Sequence, residues 1–175
     1  MTDFALRDAA PDDAAAIAKI YAPYVLTTCI TFEEVVPSTD EIRARMQKVL
    51  DSGLPWYVAE APDGTILGYA YAAPFHPRSA YRFTVENAVY VDSPHLRRGI
   101  GSALMRRLIA ECARRGFRQM VALIGDTANE ASIRLHEKLG FRNVGVLTGV
   151  GFKFDRWLGV PLMQLPLGEN AAPFA

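Results

Sequence analysis

The amino-acid sequence predicts an α/β fold in a single domain that spans residues 1–175. Strand-like and helix-like runs alternate along the chain, half of the residues are hydrophobic, and no repeat, low-complexity tract or linker divides the sequence. A chain of this length buries a substantial core. We therefore expect helices packed against one central sheet.

The first half of the chain predicts three strands and two helices. Residues 4–9 are typical of an opening strand, and residues 11–25 of a helix whose early proline and aspartates suit an N-terminus. A second helix is expected to begin at Ser38, which has the capping-box spacing to Glu41, and to end near Ser52. The strand-like runs that follow are the two arms of a hairpin within residues 56–74, turning at Asp63-Gly64, and residues 81–91.

The second half predicts a long amphipathic helix and then alternating strands and helices. Within residues 95–116, Leu104, Leu108 and Cys112 recur at helical spacing, and Gly116 suits the C-terminal cap. Cys112 is therefore expected in the core. The runs that follow are a buried strand at 118–125, a helix at 129–141 stopped by Gly140, and closing strands at 143–154 and 160–167.

The charge balance argues against a nucleic-acid-binding protein. The chain has 19 basic and 19 acidic residues, so it lacks the overall positive charge that attracts nucleic acid. A local basic patch around residues 97–118 instead favours a small anionic ligand. The first residues lack the pattern of a signal peptide, and no run is long and apolar enough for a membrane span, so we expect no membrane association.

Cysteine usage argues against a disulfide scaffold or a metal site. The chain contains only Cys29 and Cys112, which are far apart and form no CxxC or Cys/His cluster. This pattern fits a protein of the reducing cytoplasm that binds no metal.

Residues 97–101, with the sequence RRGIG, form the most informative segment because they place two arginines and two glycines directly before a helix. Backbone N–H groups at a helix N-terminus, with positive charge beside them, suit a phosphate. A flexible strand-to-helix turn is the alternative explanation. The P-loop pattern does not occur, and a dinucleotide-binding loop would need a third glycine where Leu104 stands.

The loop resembles the pyrophosphate loop of the GNAT superfamily of N-acetyltransferases. That pattern is Gln/Arg-x-x-Gly-x-Gly/Ala between a strand and a helix, and residues 96–101 read LRRGIG, with Leu96 in place of the usual polar residue. Residues 129–141, NEASIRLHEKLGF, resemble the family's second signature. The resemblance implies acetyl-CoA as co-substrate. It also implies a mixed, mostly antiparallel sheet with a splayed strand pair, flanked by helices.

The resemblance narrows to the phosphinothricin and methionine sulfone/sulfoximine acetyltransferases. It is carried by RSAYRFTVENAVYV, VALIG, SIRLHEKLGF and GFKFDRW, and it extends over almost the whole chain. It implies acetylation of the α-amine of a small amino acid analogue. A homodimer is also implied, with the apolar C-terminal strands as interface.

Transfer of an acetyl group to an amine needs a base, because an α-amine is mostly protonated at neutral pH. Glu86, in an apolar strand-like run before the loop, matches the subfamily's catalytic carboxylate; an ordinary strand-edge glutamate is the alternative. His136 lies where many superfamily members place a proton-donating tyrosine, and we expect an acid, a second base or a group that binds CoA. An acyl-enzyme on Cys29 or Cys112 is disfavoured, which favours direct transfer in a ternary complex.

The resemblance also assigns the cofactor contacts. The strand is expected to offer backbone groups to the pantetheine arm, the loop to surround the pyrophosphate, and Asn129 to bond the arm from the other side. Lys138 is either a phosphate contact or a solvated lysine. The residues expected to bind acetyl-CoA are Val89, Tyr90, Val91, Arg97, Arg98, Gly99, Ile100, Gly101, Ser102 and Asn129.

The acceptor is expected to be held by charged and aromatic residues at positions that match the subfamily. Arg78 would recognise the carboxylate of the acceptor. Lys153 would supply positive charge, and the Trp157 ring would form a wall of the acceptor site. Two alternatives remain open: acetylation of another amine, such as a peptide N-terminus, and a non-catalytic module that binds acetyl-CoA. The residues expected to bind the acceptor are Arg78, Ser79, Ala80, Tyr81, Glu86, Lys153 and Trp157.

Overall fold

A computed structural model describes residues 3–168, in which seven strands form one sheet in the order β1-β2-β3-β4-β5-β7-β6. Four α-helices pack against this sheet. The strands are β1 Ala5–Asp8, β2 Trp56–Glu60, β3 Ile66–Pro74, β4 Thr84–Val91, β5 Gln119–Leu123, β6 Arg142–Lys153 and β7 Arg156–Pro166. The helices are α1 Ala14–Thr27, α2 Thr39–Asp51, α3 Ile100–Arg114 and α4 Glu130–Lys138.

The sheet is mixed and mostly antiparallel. Neighbouring strands pair antiparallel throughout the described chain except at β4 and β5, which are parallel. The α3 segment supplies the crossover that a parallel pair needs. The fold class predicted from the sequence is confirmed.

The two faces of the sheet carry different helices. On one face, Tyr90 of β4 packs against Tyr21 and Tyr24 of α1. On the other, Asn87 of β4 contacts Met105 of α3. Because side chains alternate along a strand, even-numbered β4 residues face α1 and odd-numbered ones face α3 and α4.

One part of the core lies under α3, as the apolar spacing of this helix predicts. Leu104, Met105, Leu108 and Cys112 are fully buried against the sheet. Burial in these apolar surroundings raises the pKa of Cys112 to about 12, so its thiol stays protonated at neutral pH. Cys112 is a packed hydrophobic residue, as expected from its helical spacing.

Several element boundaries differ from the sequence prediction, among them the starts of β4 and β7. The strand predicted over residues 81–91 begins only at Thr84, because Ser79–Tyr81 form a 3₁₀ turn. The last strand begins at Arg156, earlier than predicted, because Phe154 and Asp155 adopt left-handed backbone angles and make a tight hairpin turn. Ser38 caps α2 as predicted, with its Oγ accepting from Glu41 N–H.

Three further findings apply to the part of the chain that the structure describes. None of its helices combines the length and apolar character needed to cross a bilayer. No group of three or more His, Cys, Asp or Glu side chains is arranged to hold a metal ion. Cys29 and Cys112 are buried free thiols.

Candidate active site

The centre of the site is the place where β4 and β5 separate. Their pairing covers only three residues of β4 and ends at Glu86 opposite Val121, whereas β4 continues to Val91. An opening therefore lies between the second half of β4 and the end of β5. Glu86 marks its closed end.

The register of β4 decides which backbone groups face this opening. Asp92 N–H donates to Leu67 O and Phe75 N–H to Thr84 O, so the even-numbered residues of β4 bond with β3. The N–H and C=O groups of Val89 and Val91 consequently face the opening. Tyr90 differs from the sequence prediction, because its backbone groups lie on the β3 side.

Beside the opening lies a cavity of about 800 Å³. Its lining carries three positive side chains and His95, and no carboxylate among the described residues. This composition suits a large anionic ligand. The lining residues are Tyr24, Ile30, Val89, Val91, His95, Leu96, Arg97, Gly99, Ile100, Gly101, Ser102, Asn129, Ala131, Ser132, Arg134, Leu135 and Lys138.

The two glycines of the loop serve different purposes. Gly99 is the N-cap of α3 and adopts the left-handed conformation with φ +83°, which glycine tolerates without strain. Gly101 has ordinary helical backbone, and a Cβ there would lie 3.5 Å from Leu135 and 3.6 Å from Val91, both of which line the cavity. Gly101 therefore contributes bare backbone to the wall of the cavity.

The arginines of the loop are placed differently from each other. Arg97 lines the cavity and has a left-handed backbone, φ 62°, which is uncommon for a residue with a side chain and typical of functional loops. Arg98 is exposed outside the lining, with its Nη1 3.4 Å from His95 Nδ1. Leu96, the departure from the family pattern, lines the cavity and is half exposed.

Helix α4 forms the opposite wall. Its N-cap, Asn129, accepts a hydrogen bond from Ser132 N–H through Oδ1, which leaves the Asn129 Nδ2 hydrogens available to a ligand. Ser132, Leu135 and Lys138 line the cavity at intervals of three residues, a helical spacing visible in the sequence. No sequence signal links Tyr24 of α1 to this cavity.

Glu86 lies half-buried on the α1 face of β4, opposite Ala73 of β3. Burial raises the pKa of its carboxyl group. The Tyr71 hydroxyl shares this face, and burial together with the Glu86 charge raises the pKa of Tyr71 to about 12. A carboxylate with a raised pKa at the end of an opening is a suitable general base.

His136 lies on the opposite face from Glu86. Its ring is 2% exposed, and both nitrogens are engaged: Nδ1–H donates to Ser132 O at 2.8 Å, and Nε2 accepts from Asn87 Nδ2 at 2.9 Å. Burial lowers its pKa, so the ring is neutral at neutral pH. This bonding disfavours His136 as a proton donor, because its only N–H is held by a backbone carbonyl.

The predicted acceptor residues fall into two groups. Arg78, Ser79, Ala80 and Tyr81 form part of the exposed loop between β3 and β4, beside the strand that carries Glu86. The Tyr81 ring packs against His76, with centroids 4.8 Å apart. The Arg78 side chain is exposed to solvent in this loop and is free to meet a small anion.

The second group lies at the tip of the β6–β7 hairpin. Lys153 is 2% exposed and donates from Nζ to Thr31 O at 2.9 Å, which differs from the predicted role as a ligand contact. Burial lowers its pKa. Trp157 is 71% exposed and packs only along one side against Phe152. Among the described residues, no hydrogen bond or ring contact joins these two side chains to Arg78 or Tyr81.

The model of the acetyltransferase (GNAT) family matches residues 22–141, which include the loop, Glu86 and α4. The chain belongs to the GNAT acetyltransferase family. The predicted family and the predicted enzyme class are confirmed.

Relatives of this acetyltransferase have similar length and fold. It is 51% identical over 164 residues to a phosphinothricin N-acetyltransferase of Alcaligenes faecalis, covering 93% of this chain and 83% of the relative. It is 41% identical to an L-methionine sulfoximine/L-methionine sulfone acetyltransferase of Salmonella typhimurium, covering 97% and 98%. A crystal structure of a phosphinothricin acetyltransferase from Sinorhizobium meliloti with acetyl-CoA superposes with a TM-score of 0.92 at 44% identity, covering 97% and 90%.

Proposed function

We propose that this acetyltransferase acetylates the α-amine of a small amino acid analogue: L-methionine sulfone, L-methionine sulfoximine or phosphinothricin. The observation that carries the proposal is the half-buried Glu86 carboxylate at the point where β4 and β5 separate. The substrates of the relatives supply the class of acceptor. The transfer is direct, within a ternary complex of enzyme, acetyl-CoA and amine.

Glu86 removes the proton that blocks attack by the amine. An α-ammonium group has no lone pair, and a carboxylate with a raised pKa is a stronger base than an exposed one. The free amine then forms the new N–C bond while the C–S bond of the thioester breaks. The nitrogen loses its second proton and the departing CoA thiolate takes up a proton, so the products are the amide and CoA thiol. The backbone N–H of Val89 faces the opening and is a donor available to bound acetyl-CoA.

A direct transfer is supported by the state of the two cysteines. Cys112 lies in the core with its pKa raised to about 12, and Cys29 is buried on the segment after α1. The Cys112 thiol therefore stays protonated inside the core and is not a nucleophile. Two buried free thiols also support the reducing cytoplasm as the location of this enzyme.

Acetyl-CoA fits the cavity because its lining combines bare backbone, small side chains and positive charge. The co-substrate supplies the activated acetyl group. The α3 N-terminus and Arg97 hold the pyrophosphate. Val89 and Val91 bond the pantetheine arm, and Asn129 of α4 contacts the arm from the opposite wall. Arg134 and Lys138 extend the positive wall along α4.

Arg78 recognises the carboxylate of the acceptor. A guanidinium binds a carboxylate in a two-pronged geometry, and Tyr81 lies one helical turn away on the same loop. A peptide N-terminus has no free α-carboxylate, so this residue favours an amino acid over a peptide.

Pairing between two copies through β6 is part of the same proposal. This edge strand pairs only with β7 and exposes Val144, Val146, Val150 and Phe152. Long apolar edge strands are normally covered. By size-exclusion chromatography with light scattering, Val150→Lys should convert a dimer to a monomer, whereas Val35→Lys, at an exposed apolar position before α2, should not. A monomeric wild type would contradict the homodimer.

The test of the function is an acetyl-CoA assay with a panel of amino acid analogues, polyamines and peptide N-termini. We expect turnover with free amino acid analogues and little with peptides. A preference for peptides or polyamines would contradict the proposed acceptor. Binding of acetyl-CoA without transfer to any amine would indicate a non-catalytic module.

A further inference from the structure

Asn87 of β4 contains a buried polar atom without a partner. The residue is 7% exposed, and its Oδ1 accepts no hydrogen bond from any group that the structure describes. An unsatisfied buried acceptor costs about 1 to 3 kcal/mol. Native structures keep few such atoms, and a ligand that supplies the missing donor is one explanation for them.

The orientation of the Asn87 amide is fixed by His136. The single N–H of the neutral imidazole is on Nδ1, where it donates to Ser132 O, so Nε2 is an acceptor. Asn87 must therefore turn its Nδ2–H group toward Nε2, at 2.9 Å. The second Nδ2 hydrogen meets Met105 Sδ at 3.6 Å, and Oδ1 is left free.

Asn87 occupies the next position inward from the acetyl-CoA cavity. Val91 and Val89 line the cavity on the same face of β4, and Asn87 follows them along the strand toward its closed end. Ser132, whose carbonyl orients His136, also lines the cavity. A pantetheine arm that follows Val91 and Val89 brings its amide groups to this level.

We propose that Asn87 Oδ1 accepts a hydrogen bond from an amide N–H of the pantetheine arm, and that His136 is the positioning residue that orients Asn87 for it. This inference rests on the proposed function, since it requires acetyl-CoA in the cavity. This positioning role is compatible with the hydrogen bonds of His136, which engage both ring nitrogens. The thioester is then held beside Glu86, the residue next to Asn87 on the opposite face of β4.

The first test compares two ligands by isothermal titration calorimetry without an acceptor amine. Adenosine 3′,5′-bisphosphate shares the nucleotide end of acetyl-CoA but lacks the arm. Asn87→Ala should weaken acetyl-CoA binding about three- to tenfold, the range for one hydrogen bond, and leave the bisphosphate within about twofold. An equal loss for both ligands, or no loss for either, would overturn the inference.

His136 variants separate positioning from direct contact. His136→Ala should weaken acetyl-CoA binding in the wild type and add little in the Asn87→Ala background, because both changes remove one interaction. His136→Gln retains an acceptor for Asn87 Nδ2 and should restore most of the affinity. Additive losses, or an acid pKa in the pH profile that disappears with His136, would show that His136 acts by itself.

A spectroscopic measurement on the wild type covers the case in which the variants do not fold. Nitrogen-15 NMR should show His136 as the neutral Nδ1–H form with and without acetyl-CoA. The Asn87 side-chain amide should shift with acetyl-CoA and stay in place with the bisphosphate. An imidazolium, or an unshifted amide, would overturn the inference. Wild-type protein that does not bind acetyl-CoA would instead contradict the proposed function.

Discussion

The proposed donor side and the proposed acceptor side of this site are built in opposite ways. The donor side is a formed cavity whose walls come from three stretches of chain: α1 with the segment after it, β4 through the start of α3, and α4. Its charged side chains are of one sign among the described residues. The proposed acceptor residues are an exposed loop at residues 78–81 and, at the tip of the β6–β7 hairpin, a buried lysine and an exposed tryptophan. The cavity is formed within the single chain, whereas the loop at residues 78–81 is open to solvent.

The difference follows from what each half must recognise. A phosphate-bearing ligand is held by backbone N–H groups and a helix N-terminus, which rigid elements provide. An acceptor is distinguished by side chains on loops, which vary without disturbing the sheet. We therefore expect changes on the donor side to alter affinity for acetyl-CoA, and changes on the acceptor side to alter substrate choice.

Glu86 lies between the two halves, and its substitution should have the largest effect. Glu86→Gln should lower kcat about a hundredfold, the usual contribution of a general base, because an amide does not accept the ammonium proton. The affinity for acetyl-CoA should stay unchanged by calorimetry. In the wild type, kcat/KM should fall as the pH drops through the raised pKa of Glu86, and the variant should lack this limb. Wild-type turnover in the variant would place the base elsewhere.

Gly101→Asp should weaken the binding of acetyl-CoA without changing recognition of the acceptor. The new carboxylate would enter the space bounded by Leu135 and Val91, where phosphate must approach, and weaken acetyl-CoA binding more than tenfold, or ~1.4 kcal/mol. Gly101→Ala is the matched control, since its Cβ makes only ordinary contacts and adds no charge. Unchanged affinity of folded Gly101→Asp would refute this placement of the cavity's ligand.

Arg78→Ala should weaken recognition of the acceptor without changing the binding of acetyl-CoA. We expect kcat/KM for methionine sulfone or phosphinothricin to fall about fivefold, close to 1 kcal/mol, because an exposed charge pair is weakened by solvent. The KM for acetyl-CoA should not change. Arg106→Ala, which removes an exposed arginine from α3, is the control.

Esterification of the substrate carboxylate sharpens the same test. The ester should lower kcat/KM in the wild type and add little in Arg78→Ala, because both changes delete one interaction. Equal use of ester and free acid by the wild type would remove Arg78 from the site.

The smallest expected effect is on folding stability. The pKa of Glu86 is raised by folding, so the native state binds its proton more tightly than the unfolded state, and the buried charge destabilises the fold above that pKa. Glu86→Gln should therefore raise Tm slightly at neutral pH. The gain should vanish below about pH 4, where the carboxyl is protonated in both states. A variant that is less stable at neutral pH would contradict this.

The fold and the donor side could largely be predicted from the sequence because their signals are local. Ser38 and Glu41 set the start of α2, and the glycines of residues 97–101 precede an amphipathic helix in one short stretch. Tyr24 of α1 could not be predicted, since its contact with Val91 joins residues 67 positions apart.

The roles of the other site residues could not be predicted, because they depend on burial and on the side of the strand that each group faces. His136 and Lys153 have chemistry that suits catalysis, but both are bonded to backbone carbonyls inside the protein. Asn87 gave no sequence signal, because an asparagine in a strand becomes informative only when the partners of its amide are known. The proposed acceptor contacts of Arg78 and Trp157 stay predictions.

The opening between β4 and β5 also makes the folding stability of this protein depend on the concentration of its ligand. Backbone groups of Val89 and Val91 face the opening. Apart from Val91 O, which accepts from the Tyr24 hydroxyl, a ligand there would supply the hydrogen bonds that a neighbouring strand would otherwise provide. A ligand present at a hundredfold excess over its Kd raises stability by about 2.7 kcal/mol. We expect the empty protein to exchange amide hydrogens faster and to be cleaved sooner by proteases, so that a cell depleted of acetyl-CoA would lose the enzyme as well as its substrate.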